Sequence, residues 1–297
     1  MNGRVTAAVL LIPLALFLAS GCRSTRTYGD IESDIAAAIS GWQPAKEIRR
    51  LVEEADDRPK AAAFGVWWTM RLLHITEEIA EQWPYHHGRE ARSTPTIEIT
   101  EVMNRYRISV LRVLMPYGID LNRPYRNRPG LDQPLVNWQV QVWPDRSVTP
   151  ELLTFLLENG YDPDTSQGGA TALGVCTMPY GTPLGYKRRY EMVQSLLKHG
   201  ADPNVTIMKE PILFCLLEDD WKNPHLAETI QLLVDAGIDV NVVEERGWTP
   251  LDRAMDHAER GPAPDEAKKI VAILKRGGAN TGAELKARKK KLPVAAQ

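Results

Sequence analysis

The sequence predicts an all-α chain: a solenoid of helical repeats with extended inter-helix loops, closed at its N-terminal end by a helical cap. Three observations carry that prediction. An apolar helix ending in glycine recurs along the chain, a helix-opening motif recurs between the copies, and proline-bearing stretches separate the two.

Self-similarity at a fixed period identifies a stack of identical supersecondary units. The segments beginning at Val110, Leu152, Met192 and Thr229 each run through an apolar helix into a turn, and a weaker copy begins at Ile270. Their glycines, Gly118, Gly160, Gly200, Gly237 and Gly277, are spaced by 42, 40, 37 and 40 residues. Seven, four and three places before each glycine stands an apolar side chain, for example Leu153, Leu156 and Leu157, or Val193, Leu196 and Leu197. That spacing is one face of a helix, and glycine just past its last turn predicts a left-handed C-terminal cap. Asp120, Asp162, Asp202 and Asp239, two places on, suit a turn.

The second motif opens at Gln133, Thr171, Glu210 and Thr249, at intervals of 38, 39 and 39 residues. Threonine followed by proline starts a helix well, because the hydroxyl caps free amides and proline fits the first turn. The following apolar residues, Leu135, Leu173, Ile212 and Leu251, are predicted to enter the stack. Together the two motifs resemble the ankyrin repeat, most closely in Leu196-Leu-Lys-His-Gly-Ala-Asp-Pro-Asn204 and Gly247-Trp-Thr-Pro-Leu251. The family's usual histidine is replaced by Val136, Gly174, Leu213 and Asp252. Each unit is also longer than the usual 33 residues or so. The inserts hold Pro144, Pro179, Pro183, Pro224, Pro262 and Pro264 and are predicted to be loops.

Upstream of the repeats, residues 33–39 and 45–55 read as short helices and 60–82 as one long helix, with Trp67, Trp68, Leu72 and Ile75 partly buried. Residues 84–96 read as a polar loop. A stack must close its exposed apolar end, so residues 31–105 are a helical cap or degenerate repeats, 106–282 the ankyrin-like repeats, and 283–297 a short helix with a basic tail.

At the N-terminus, one charge (Arg4) precedes the uncharged run 7–19. That run falls short of the 20 or so apolar residues that span a bilayer and reads as a signal peptide, residues 1–21. Ala19-Ser-Gly-Cys22 resembles the lipobox of bacterial lipoproteins. The resemblance implies that Cys22 is acylated (palmitate and related chains) and heads the mature chain, followed by a polar tether through residue 30. An uncleaved anchor and an ordinary secreted protein are the alternative readings. Arg23 stands where aspartate would resemble an inner-membrane retention signal, which places the protein at the outer membrane, facing the periplasm, if the host has two membranes.

A net charge of −2 gives no reason to invoke nucleic acid. No nucleophile elbow, zinc-protease helix, phosphate-cradling loop or paired CxxC occurs. The expectation is therefore a non-enzyme with no cofactor and no metal. Cys176 and Cys215, at equivalent places in neighbouring units, are expected to be small packing residues too far apart for a disulfide. His86 and His87 read as a solvated loop, the run 286–291 as a frayed basic tail, and Glu218-Asp-Asp220 as a solubilising loop.

The ankyrin resemblance implies that hairpin tips and inner helices form a recognition surface for another protein. The candidate partner-binding residues are Tyr125, Arg126 and Arg128 in one tip, Ile207 and Met208 in a second, and Trp248 in a third. Tyrosine, tryptophan and arginine dominate interface energetics, and a tyrosine among arginines suggests an acidic partner. Trp248 packing on its neighbouring repeat is the competing reading. Two functional alternatives stay open: an envelope hydrolase with catalytic groups in the N-terminal helices and inserts, and a purely structural envelope protein.

Overall fold

The computed structural model describes residues 28–82, 97–125, 133–134, 148–166, 170–178, 183–207, 209–219 and 221–291. Four helices come first: α1 (Tyr28–Ser40), α2 (Ala45–Glu53), α3 (Arg58–Gln82) and α4 (Ile97–Leu114). Then follow α5 (Pro150–Glu158), α6 (Ala172–Cys176), α7 (Pro183–Lys198), α8 (Ile212–Asp219), α9 (Leu226–Asp235), α10 (Pro250–Arg260), α11 (Pro264–Arg276) and α12 (Gly282–Lys291). The chain is the all-α helical-repeat solenoid that the sequence predicts, although the connection from α10 to α11 is only residues 261–263.

Stacking defines one continuous row of helices, in which α2 packs on α4, α4 on α5, α5 on α7, α7 on α9 and α9 on α11. A second row is marked by α1 on α3 and by α8 on α10. The first four helices thus follow the same two-row order as the units after them. Gly65 lets α3 approach α4, because a Cβ there would lie 2.9 Å from Leu114 Cδ1. Trp67 and Trp68 are half-buried against the core; the side chains of Leu72 and Ile75, and the 84–96 loop, lie outside the described residues.

Each unit ends the same way. Gly160, Gly200 and Gly237 have φ of 89°, 88° and 88°. In each, the glycine N–H donates to the carbonyl three places back and the next residue's N–H to the carbonyl five places back from itself (Gly200 to Leu197 at 3.1 Å, Ala201 to Leu196 at 3.1 Å). This is the Schellman pattern, which satisfies the last helical carbonyls. The leucine four places before each left-handed glycine (Leu114, Leu156, Leu196, Leu233, Leu274) is fully buried. Burying one such side chain contributes about 1.5–3 kcal/mol. In the fifth unit the left-handed residue is Gly278 (φ 87°), not Gly277 (φ −74°). The sequence register was one residue early there, because Gly277 instead packs tightly against Val234.

Two prolines expected in loops begin helices. Pro183 and Pro264 are the first residues of α7 and α11, where a missing N–H costs nothing. Pro224 and Pro262 do lie in connections, while Pro144 and Pro179 are outside the described residues. The C-terminal segment is also more regular than a frayed tail, being helical through Lys291. Among the described residues no helix is long and apolar enough to cross a membrane.

Successive units are joined by a ladder of hydrogen bonds along their turns. The Asp162 N–H donates to Asn122 Oδ1 (2.8 Å), Asp202 N–H to Asp164 Oδ1 (2.9 Å), Asp239 N–H to Asn204 Oδ1 (2.7 Å) and Asn280 N–H to Asn241 Oδ1 (2.8 Å). Within each turn the preceding aspartate holds the rung in place: the Asn204 N–H donates to Asp202 Oδ1 at 2.8 Å, and the Asp120, Asp162 and Asp239 carboxylates act alike.

Candidate functional site

Between the units the chain turns through hairpins. Strand β1 (Pro124–Tyr125) pairs antiparallel with β2 (Gln133–Pro134), Tyr125 opposite Gln133. Strand β3 (Thr206–Ile207) pairs with β4 (Glu210–Pro211), Ile207 opposite Glu210. The third turn closes when the Glu244 N–H donates to the Trp248 carbonyl at 3.0 Å and the Gly247 N–H to the Glu244 carbonyl at 2.8 Å.

The sequence-predicted site residues separate on this frame. Ile207 is a core residue, 5 % exposed, with its side chain closing on Gly174, where a Cβ would lie 3.1 Å from Ile207 Cγ1. It is therefore removed from the candidate partner surface: in a two-residue strand one side chain faces the stack. Tyr125 pairs through its backbone with Gln133, while its side chain and Cys22, Arg126, Arg128 and Met208 lie outside the described residues. Trp248 is 39 % exposed and Val243, in the same turn, 49 %. The ring contact of Trp248 is with Arg253 of its own unit, whose Cζ lies 5.8 Å from the ring centroid.

Helix α10 begins at this turn because Thr249 and Asp252 form a capping box. The Asp252 N–H donates to Thr249 Oγ1 (3.3 Å) and the Thr249 N–H to Asp252 Oδ2 (2.9 Å). The same carboxylate oxygen accepts from the Gly282 N–H at 2.7 Å, tying α12 to α10. Aspartate in place of the expected histidine thus links two units.

One turn inward, Arg253 Nη2 lies 2.9 Å from Glu244 Oε2 and 3.7 Å from Glu218 Oε1. The Arg253 and Glu244 side chains are 18 % and 17 % exposed, so the pair is largely desolvated and binds more firmly than a surface pair. One guanidinium nitrogen serving two carboxylates leaves Arg253 Nε and Glu244 Oε1 shielded from solvent and without a partner. Glu218, expected only to keep a loop soluble, takes part in this network.

Glu210 stands where Thr171 and Thr249 cap their helices, and it is half-buried. Partial burial, with Glu218 and Glu244 nearby, holds its carboxyl above the ordinary range, and Arg253 opposes that. On the next helical turn, burial pushes the Cys215 thiol up to about 11, helped by Glu210 and Glu218. It stays protonated at neutral pH and is a poor nucleophile. Cys176 is buried, and neither cysteine is in a disulfide.

His257, one turn beyond Arg253, stacks on Trp221 with ring centroids 4.2 Å apart. Burial and the Arg253 charge lower its pKa against the opposing pull of Asp256. Beside this network a cavity of about 440 Å³ opens between residues 203–206, 211–213 and the next turn, lined by Pro203, Val205, Pro211, Ile212, Ile238 and Val242 among others.

The face therefore offers exposed apolar side chains, a hollow and three carboxylates around one guanidinium. Among the described residues, no three His, Cys, Asp or Glu side chains are placed to hold a metal ion. Of the residues singled out from the sequence, Trp248 lies on this face; Glu210, Glu218, Arg253 and Val243, which join it there, come from separate segments with no local pattern.

No family model matches the chain, and no curated protein does. A solved ankyrin repeat domain from Acinetobacter baumannii AYE is similar to it with a TM-score of 0.44 and 18 % identity, over 76 % of this chain and 100 % of that one.

Proposed function

We propose that the chain is a tethered docking scaffold of the cell envelope, binding another protein on the face formed by its last hairpins and by α8 and α10. The supporting observation is the turn 243–248, where an exposed valine and tryptophan sit over a desolvated ion-pair network. Large aromatic side chains beside arginine are the groups that concentrate binding energy at protein interfaces, and a stack locked by its turn ladder presents them with little ordering cost.

Acylation of Cys22 anchors the scaffold, at the outer membrane facing the periplasm in a two-membrane host, and the run after it is the tether. Several acyl chains make such anchoring effectively permanent. Replacing Cys22 by serine then moves the protein out of the membrane fraction; persistent membrane association contradicts the anchor. The docking role is tested by affinity capture on the full chain. Trp248→Ala combined with Val243→Ser loses the captured partner while the thermal melt is unchanged, and a partner kept by the doubly substituted chain contradicts the assigned face.

A further inference from the structure

We propose that this face takes an extended, cationic segment of the partner protein, an apolar side chain entering the hollow while an arginine or lysine lies between Glu210 and Glu244 beside the Trp248 ring. The inference rests on the docking reading above and names the chemistry of its partner.

Charge complementarity argues for it. Glu210, Glu218 and Glu244 surround a single guanidinium, that of Arg253, which is engaged by Glu244 and Glu218. Glu210 has no ion-pair partner among the described residues, and neither Lys209 nor Arg246, both exposed, pairs with any of the three. Of the three carboxylates, Glu210 alone thus lacks a paired cation, the Lys286 ammonium lying instead against Gly247 in the turn. A half-buried carboxylate attracts a cation more strongly than a fully solvated one, because less water screens it.

Shape argues the same way. The hollow is walled by Pro211 and Ile212, immediately after Glu210, and by Val242, two residues before Glu244. An apolar anchor and a cation on neighbouring residues of one extended segment therefore reach the hollow and the carboxylates together. The indole of Trp248 is 39 % exposed and adds an aromatic surface for a guanidinium or ammonium.

The test uses the purified full-length chain and three fluorescein-labelled peptides, built from serine and leucine with arginine, lysine or glutamate at alternate positions. The expected result is anisotropy-detected binding of the arginine and lysine peptides and none of the glutamate peptide. Glu210→Gln and Glu244→Gln, which keep side-chain shape, each weaken it by about tenfold, the scale of one charge contact. Trp42→Ala, in the N-terminal unit, leaves it unchanged. Equal binding of cationic and glutamate peptides, or cationic binding indifferent to both glutamine variants, overturns the proposal. So does a face filled by a second copy of the chain, seen as concentration-dependent sedimentation that both variants abolish. If no peptide binds but Trp248→Ala with Val243→Ser still loses a captured partner, docking stands and the cationic segment is wrong. If neither responds, both fall.

Discussion

Replacing Asn204 by alanine removes the acceptor that the next unit's Asp239 N–H uses at 2.7 Å. Nothing else in the stack is disturbed, since the Asn204 side chain lies on the surface. A neutral hydrogen bond contributes about 0.5–1.5 kcal/mol net, and water can reach the freed amide, so the loss is set near 1 kcal/mol. With a urea dependence of about 1–3 kcal/mol per molar, the midpoint falls by roughly 0.3–1 M. The informative comparison is Asn204→Asp. In the preceding unit Asp164 already performs this role, accepting from the Asp202 N–H at 2.9 Å. A carboxylate is thus a competent acceptor even between neighbouring aspartates, and Asn204→Asp should melt within a few tenths of a kcal/mol of the parent. Urea titration by circular dichroism on the three proteins decides the matter. If aspartate costs as much as alanine, or alanine costs nothing, the ladder does not couple the units.

Further outcomes follow from the same geometry. Gly200→Ala has open space around the new Cβ but a φ of 88°, so its cost is backbone strain of about 1–2 kcal/mol, and Gly200→Asn costs less in the same urea titration. Asp252→Ala removes the acceptor shared by the Thr249 and Gly282 amides, so hydrogen exchange across α12 accelerates while that of α7 stays as it was. The raised carboxyl of Glu210 means that the folded chain holds this proton more tightly than the unfolded chain does. Its contribution to stability therefore declines as pH rises through the raised value. Glu210→Gln accordingly gains stability relative to the parent between pH 4 and pH 7, read as the difference of urea midpoints at the two pH values.

The apolar spacing and terminal glycines made the repeats legible because a Schellman cap demands a left-handed residue at a fixed distance from the last buried leucine. The fifth unit misled by one place because Ile270, Ile273 and Leu274 fit a cap at Gly277, whereas Lys275 stands three places before the left-handed Gly278. Pro183 and Pro264 illustrate a different ambiguity: proline suits a loop and a first helical turn equally. At Ile207 the sequence offered no means of deciding which side of a two-residue strand meets the stack. The network around Arg253 was invisible for a more general reason. Glu210, Glu218, Glu244 and Arg253 belong to segments joined only by the stacking of α8 on α10, and no spacing rule connects them. The Asn204-type rungs were readable only as turn formers, since their partner amides belong to the next unit.

The most direct test of the docking face is site-specific photo-crosslinking in the host cell. A benzoylphenylalanine placed at Val243, 49 % exposed in the last turn, should yield a discrete adduct with another protein. The same group at Lys268, exposed on α11 in the continuous row of helices, should yield none. Adducts from Lys268 with none from Val243 would contradict the assignment of the hairpin face.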